Sequence, residues 1–492
     1  MKIGIIGAGI AGLAAAARLA ARGHQVEVFE ANPYPGGKLS EFSLNGYRFD
    51  AGPSLFTMPH YVEELFHAAG EQPEAHFSYE RIPVVCHYFW EDGTRLNAFA
   101  DRDAFLSEIQ TKLGVDPLKV ARLLADSEKK YQVAGQIFLE NSLHRVKTWS
   151  SWKVAKAMLR IPQMDLFTTM DAVNRHFLGH PKLVQFFNRF ATYNGSNPYK
   201  TPGLLTIIPH FEHHIGAFYP QGGMYAITQS IFGLAQRKGA VFHFNTPVEE
   251  IVVEGKRAKG LRTSNGLQHF DCIVSNMDSF FTYRKLLPGT KHPERALRQE
   301  KSTSALIFYW GIRREFSELN LHNIFFSEDY QKEFQHLAEG TLCNDPTVYI
   351  NITSKLTPGD APQGAENWFT MVNAPYQRGQ DWSEIIRRTR ANVLAKLSRM
   401  LAVDLEQYIA CEEILEPRTI ESKTSSHLGA LYGTSSNKRM SAFLRHPNFS
   451  ASIKGLYFCG GSVHPGGGIP LCLLSARIAD GIIQEDYQKQ AF

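Results

Sequence analysis

An α/β fold built on an interrupted parallel sheet is predicted by three features of the chain. A short apolar strand, Lys2 to Ile6, runs into Gly7-Ala8-Gly9-Ile10-Ala11-Gly12 and then a helix-type run from Leu13 to about Ala21. Strand patterns with parallel-sheet character return near Val241 and at Cys272-Ile273-Val274-Ser275-Asn276. A final strand, Gly455 to Phe458, enters a second glycine-rich loop and a helix from about Pro470. A sheet that begins at the first residues and closes in the last fifty must be interrupted by insertions.

Taken in order, G-x-G-x-x-G between strand and helix is the pattern that seats a dinucleotide. Gly7 allows the tight turn, Gly9 lets the backbone approach a diphosphate, and Gly12 lets helix and strand pack closely. The helix N-terminus supplies free N–H groups and partial positive charge. Gly23 ends that helix, Gln25 to Phe29 is the second strand, and Glu30 follows 18 residues beyond Gly12, where a carboxylate accepts from a ribose. A secretory signal is not expected, since four glycines interrupt the segment and Arg18 and Arg22 break it before any small-residue cleavage site. Ala31 to Lys38 is a turn-rich loop with Gly36-Gly37-Lys38. Ser40 to Leu44 and Tyr47 to Asp50 alternate as strands around Asn45-Gly46, and Ala51-Gly52-Pro53-Ser54 closes the unit. Residues 60–215 read as mostly helical, rich in aromatics, with little strand signal. Val241 to Phe244 and Val248 to Val253 read as further sheet. A mixed region, 285–445, holds strand-like Ser304 to Gly311 and Asn367 to Asn373 and helix-like Trp382 to Leu401. Segments 1–70, 220–285 and 445–492 are thus expected to form the cofactor domain. Segments 71–219 and 286–444 are expected to form the domain that meets substrate and membrane.

Bulk properties narrow the class. The 492 residues are 43% apolar and 20% charged, an ordinary globular balance. A net charge of +4 is too mild to imply nucleic acid. Six scattered cysteines without a C-x-x-C pair point to a reducing compartment and to no zinc site. No window carries about 18 uninterrupted apolar residues, so no transmembrane helix is expected.

The glycine clusters favour a flavin over a nicotinamide, because they lie at both ends of the chain rather than in one contiguous domain. Gly36-Gly37-Lys38 can bring N–H groups and a cation to a diphosphate. Gly460-Gly461-Ser462 follows a strand, as a ribityl or diphosphate contact would. Gly466-Gly467-Gly468-Ile469-Pro470 brings bare backbone to a helix start, suited to the flavin edge that gains negative charge on reduction.

On these residues the chain resembles the bacterial carotenoid desaturases, the phytoene-desaturase type of FAD-dependent amine-oxidoreductase-like flavoproteins. The likeness covers essentially the whole sequence. It is carried by Gly7 to Gly12, Glu30, Pro35 to Lys38, Phe49 to Pro53, Glu212 to Gly223, Val274 to Asp278, Leu431-Tyr432-Gly433 and Gly460 to Pro470. The His464-Pro465-Gly466 loop ending in Ile469-Pro470 is most similar to the subgroup that 3,4-desaturates 1-hydroxylated carotenoids. The resemblance implies a glutathione-reductase-type FAD domain with an inserted mixed α+β substrate domain and a helical membrane-facing cap. It implies that Gly7, Ala8, Gly9, Gly12, Glu30, Gly37, Lys38, Gly52, Pro53, Val248, Gly461, Ser462, Gly468, Ile469 and Pro470 line FAD, Val248 through its backbone. The substrate it implies is a linear or monocyclic carotenoid, with oxygen or a membrane quinone as electron acceptor.

Such a reaction removes a hydride and a proton from adjacent carbons, so a dry tunnel and a proton acceptor are needed. The 33 phenylalanines and 19 tyrosines can supply the tunnel. Glu212, His213 and His464 are the proton-handling candidates, with His214 beside them and His427 a weaker one. Between Arg145 and Arg160 lie five cations and no acid. At about 100° per residue, Lys153, Lys156 and Arg160 share a stripe beside Trp152, Ala155, Met158 and Leu159, with Trp149 at the boundary. Basic residues next to tryptophan on an amphipathic helix suit an anionic membrane surface, here the inner face of the cell membrane reached from the cytoplasm. Two other readings use the same scaffold. One is a relative acting on a different substrate, as an amine oxidase or a carotenoid isomerase does. The other is a non-catalytic prenyl-lipid binder of the Rab escort type, against which the intact glycine motifs count.

Overall fold

The computed structural model describes residues 1–150, 152, 154, 156, 160 and 164–488. Five strands form the central sheet: β1 (Lys2–Ile6), β2 (Gln25–Phe29), β3 (Val241–His243), β4 (Cys272–Ser275) and β5 (Leu456–Phe458). Their order is β3-β2-β1-β4-β5, and every pairing is parallel. Ile3 stands opposite Val26 and Cys272, and Ile5 opposite Val28 and Val274. This alternation sorts the side chains onto two faces. Ile3, Ile5, Val26, Val28 and Val274 meet α1 (Ile10–Ala21), α2 (Tyr225–Arg237) and α3 (Ile469–Gln488). Ile6, Phe29, Ile273, Leu456 and Phe458 meet Ile251, Ala258 and Leu261 on the other side. Gly4 makes that second contact possible, since a Cβ there would lie 2.9 Å from Leu261.

Two sequence expectations change here. Val248–Glu254 is not part of the parallel sheet; it pairs antiparallel with Arg257–Thr263 in a separate three-stranded layer. Gly255 and Lys256 both adopt positive φ (54° and 63°), which makes the tight reversal of a hairpin. The region 60–215 is also less helical than its pattern suggested. Val84–Phe89 and Arg95–Phe99 form the end of a seven-stranded sheet, continued by His322–Phe325, Val348–Ile352, Glu366–Ala374, Ser304–Ile312 and Ile409–Leu415. Ser304–Ile312 and Glu366–Ala374 contain the two stretches read as strand-like. Val84–Phe89, His322–Phe325 and Val348–Ile352 bury residues on both faces, which hides the alternation of a half-exposed strand. In Ser304–Ile312, Leu306, Phe308 and Trp310 face a helical layer, while Ala305, Ile307 and Tyr309 face the hairpin Glu41–Leu44/Tyr47–Asp50.

The two sheets are tied together at Arg48. Its guanidinium bridges Asp50 at 2.8 Å and Asp360 at 3.1 Å, and Asp50 accepts the N–H groups of Met224 and Tyr225 at the start of α2.

The expected amphipathic helix over 145–160 is only partly within view. Val146–Trp149 is a short helix, and Lys153, Ala155, Met158 and Leu159 lie outside the described residues. Arg145 and Lys147 pair with α3, through Asp486 at 2.8 Å and Glu485 at 2.7 Å. Among the described residues no helix is long and apolar enough to cross a membrane.

Candidate functional site

Strands β1, β4 and β5 all end at one place, and a continuous cavity of about 1720 Å³ begins there. That exceeds the roughly 300–1,000 Å³ of an ordinary small-molecule pocket. At its first end, Gly7 turns with φ +89° into α1, whose N-terminal Gly9 offers backbone with no side-chain cap. The glycines are required by space. A Cβ on Gly12 would lie 2.1 Å from the Gly7 carbonyl, and one on Gly9 would lie 2.7 Å from Asn276 Oδ1. A Cβ on Gly52 would lie 1.9 Å from the Lys38 carbonyl.

Glu30 is 6% exposed and stands on the cavity wall near Val248. Its Oε2 accepts the Ala8 N–H at 2.7 Å and its Oε1 accepts the Asn32 N–H at 2.8 Å. Oε1 also accepts from Asn32 Nδ2 at 2.9 Å, so the carboxylate braces the glycine turn and keeps a lone pair on Oε2. Lys38 reaches the cavity too, but its Nζ donates to the Leu431 carbonyl at 2.7 Å, not to an anion. Burial lowers the Lys38 pKa, and Asp278 opposes that shift. Gly37, Pro53, Gly461, Ser462, Gly468, Ile469 and Pro470 complete the wall; Ala8 and Gly12 stand behind it as packing positions. Ser462 Oγ accepts the Ser279 N–H at 3.0 Å, and α3 starts at Ile469 beside Gly468, where φ is +111°.

Further on the cavity turns apolar, lined by Leu139, Leu143, Met164 and Leu205 on one side and Ile307, Phe369 and Met371 on the other. A buried polar cluster interrupts this wall. Arg189 Nη2 donates to Glu212 Oε1 at 3.3 Å, Arg189 Nη1 donates to Tyr193 Oη at 3.0 Å, and the Tyr193 hydroxyl donates to Glu212 Oε2. Glu212 is 1% exposed. A second chain links His322 Nδ1 to Tyr349 Oη at 2.7 Å and Tyr349 Oη to Ser54 Oγ at 2.8 Å. Asn351 Nδ2 also donates to His322 Nδ1, at 3.2 Å, so the ring proton belongs on Nε2, which is buried without a partner. Burial, helped by Arg189, holds the His322 pKa down at about 3, so the ring is neutral.

The proton-handling candidates separate. Glu212 and His464 line the cavity; His213 does not. His213 stacks on Phe105 with ring centres 4.6 Å apart, and burial lowers its pKa to about 4. His214 and His427 are off the wall as well, His427 lying flat on Phe280 at 3.5 Å. His464 Nε2 donates to the Asn141 carbonyl at 2.8 Å, leaving Nδ1 as acceptor, and burial lowers its pKa to about 4. Sequence reading did not single out Asn276, Arg189, Tyr193, His322 or Arg445 as site residues. Asn276 alone had a signal, directly after β4.

The family of flavin containing amine oxidoreductases matches residues 10–479. The chain belongs to it. A relative from Flavobacterium sp. (strain P99-3), a 1-hydroxycarotenoid 3,4-desaturase, is 50% identical over 97% of this chain and 98% of its own length. A 4,4'-diapolycopene oxygenase from Methylomonas sp is 32% identical over 99% of both chains. Among solved structures, an oxidoreductase from Methanosarcina mazei shares the fold with a TM-score of 0.62 at 15% identity, covering 98% of this chain and 100% of that one. The protein is thus a flavin-dependent oxidoreductase of α/β architecture. FAD is the cofactor, and the site fits it: glycine positions without room for a Cβ, a bare helix N-terminus, and one cavity running from Val248 to Gly468.

Replacing Gly12 by Ala tests that fit. The variant is expected to purify without the visible absorbance of bound flavin, because its Cβ would collide with the Gly7 carbonyl. Full flavin occupancy in that variant would contradict the assignment.

Proposed function

We propose that the protein forms the 3,4 double bond of a linear or monocyclic carotenoid carrying a hydroxyl at C1. The observation that carries this reading is the buried polar cluster of Arg189, Tyr193, Glu212 and His322 on the wall of an otherwise apolar cavity. Leaving polar groups buried without partners is costly, and a hydrocarbon offers them none. A tertiary hydroxyl does: its oxygen can accept from His322 Nε2, and its hydrogen can go to Glu212. The name of the Flavobacterium relative, at 50% identity, supports the same substrate class.

The reaction then follows from placement. Bound FAD would supply the acceptor for a hydride from C4, where allylic conjugation stabilises the developing cation. C3 is two bonds from the carbon that bears the hydroxyl, so a cluster that holds the hydroxyl also stands beside the C3 hydrogens. Glu212 takes the C3 proton, and the C3–C4 double bond forms. Arg189 and Tyr193 orient the carboxylate through one hydrogen bond to each oxygen. The apolar wall excludes water while cation character is present. His464, neutral and with Nδ1 free to accept, is the second proton acceptor we assign to the wall. Segments 1–70, 220–285 and 445–492 serve in this reading as the FAD domain, and 71–219 with 286–444 as the substrate domain.

The mouth of the cavity lies against the membrane in the same proposal. Trp152 and Phe167 are 72% and 75% exposed, with Lys156 over the Trp152 ring and Arg439 over the Phe167 ring. Leu143, Met164 and Leu166, close by in sequence, line the cavity. Cations above exposed aromatic rings suit anionic headgroups. With Arg145 and Lys147 paired to α3, the lipid-facing set is Trp152, Lys156, Arg160 and Phe167, and Trp149 is a flank whose Nε1 donates to the Leu143 carbonyl.

Co-expression with a pathway that makes 1-hydroxylated carotenoids is expected to yield pigments two mass units lighter with red-shifted absorption. Glu212→Gln is expected to lower that product by about 100-fold or more. Unchanged mass, or equal conversion of unhydroxylated carotenoid, would sink the reading. In co-sedimentation, vesicles containing anionic phospholipid should retain the protein, and Trp152→Ala with Phe167→Ala should release it. Equal retention of the double variant would remove this face from the membrane contact.

A further inference from the structure

Arg445 is a buried cation without an anion. It is 5% exposed and lines the cavity. Its Nη2 donates to the Thr434 carbonyl at 3.0 Å and to Ser436 Oγ at 3.3 Å, while Nε and Nη1 are buried with no partner. Among the described residues no carboxylate lies within ion-pair distance of it, in contrast to Arg189, which has Glu212. Burial lowers the Arg445 pKa to about 10, so the group stays charged at neutral pH.

An isolated charge held in a low-dielectric wall is unfavourable unless something in the cavity carries the opposite sign. The polyene cannot supply it, being neutral and turning cationic as hydride leaves, which Arg445 would oppose. The position of Arg445 indicates what does. A Cβ on Gly466 would lie 2.2 Å from Nη1, so the guanidinium is pressed against the loop that starts α3 two residues after Gly467. Proximity orders the wall: a Cβ on Gly9 or on Gly460 would meet the Asn276 side chain, one on Gly461 would meet Gly467, and one on Gly466 would meet Arg445. With FAD bound as the glycine motifs imply, the diphosphate would lie at Gly9 and the ring edge would lie at Gly466 to Gly468.

We propose that Arg445 is the electrostatic partner of the flavin ring, matching the negative charge the ring acquires when it accepts a hydride without a proton, and so setting the reduction potential. The α3 N-terminus contributes partial positive charge to the same edge, and Arg445 adds a full one. A group that binds the reduced form more strongly than the oxidised form raises the potential by that difference in affinity. The inference rests on the FAD assignment and not on the identity of the carotenoid.

The test uses flavin-loaded protein with no carotenoid present, equilibrated under reducing conditions against a reference dye. Arg445→Met should lower the equilibrium constant for flavin reduction at least tenfold, about 30 mV for a two-electron couple. Arg445→Lys, which restores the charge, should recover most of it. Arg445→Gln gives a second neutral variant if the Met protein does not accumulate. An unchanged potential with weaker FAD binding would place Arg445 on the diphosphate instead and overturn the proposal. An unchanged potential with unchanged binding would assign it a structural role and do the same. A wild-type protein that takes up no flavin would overturn the cofactor reading beneath it.

Discussion

Asn276 joins three distant pieces of the chain at a point with no space to spare. Its backbone N–H donates to the Ile6 carbonyl at 2.8 Å and its Nδ2 to the Cys459 carbonyl at 3.2 Å. Its Oδ1 stands where a Cβ on Gly9 would fall, and its Nδ2 stands 2.5 Å from where one on Gly460 would fall. The ends of β1, β4 and β5 can close on one another only because glycine occupies both neighbouring positions. Ligands of open parallel sheets bind at the carboxyl ends of the strands, and this junction fixes where that is. The direction of α1, the start of α3 and the opening of the cavity all follow from it.

From that junction outward, the cavity changes character in steps, and charge is used sparingly along it. The end at Gly9 presents a bare helix N-terminus and Glu30 instead of a dense set of cations, and even Lys38 is directed to a carbonyl. The apolar stretch holds a hydrocarbon without competing for hydrogen bonds. Two of the charges buried in the wall lie apart from one another. Arg189 is paired with Glu212 and Tyr193, where the proposed reading puts the reacting end of the polyene. Arg445 has no anion among the described residues, where we propose the flavin ring. In a low-dielectric wall such groups act strongly and without water to screen them. The same dryness explains why His213, His322 and His464 are all held neutral.

The parts of this arrangement that were legible in the sequence are those set by local rules. Glycines followed by a helix, and strands with an apolar run between turns, announced β1, β2, β4, β5 and both cofactor loops, because the backbone there has one workable solution. Val84–Phe89 escaped notice since a strand buried on both faces loses its alternation and resembles a core helix, and its partner Arg95–Phe99 alternates in burial over only five residues. The polar cluster escaped for a different reason. Arg189 and Tyr193 come from one turn, Glu212 from another, and His322 from a strand over a hundred residues on. Only packing brings them together, and singly each reads as an ordinary polar residue. Arg445 carried no motif; its isolation is visible only once the surrounding side chains are in place. In the basic stretch from Arg145 to Arg160, the pairing of Arg145 and Lys147 with acids on α3 was likewise invisible in the sequence, because the acids lie over three hundred residues away.

The central claim is that one cavity holds the C3–C4 bond of a hydroxylated polyene against the flavin, with the hydroxyl fixed by the buried cluster. Anaerobic single-turnover mixing tests it most directly: flavin-loaded protein is combined with an equimolar 1-hydroxycarotenoid in detergent, and the visible flavin absorbance is followed. The account predicts bleaching in step with formation of one new double bond. The matching carotenoid without the hydroxyl should bleach the flavin about 10- to 100-fold more slowly, the loss of a hydrogen bond to charged groups worth about 1.5–3 kcal/mol. Equal rates for the two carotenoids, or no bleaching by the hydroxylated one, would contradict it.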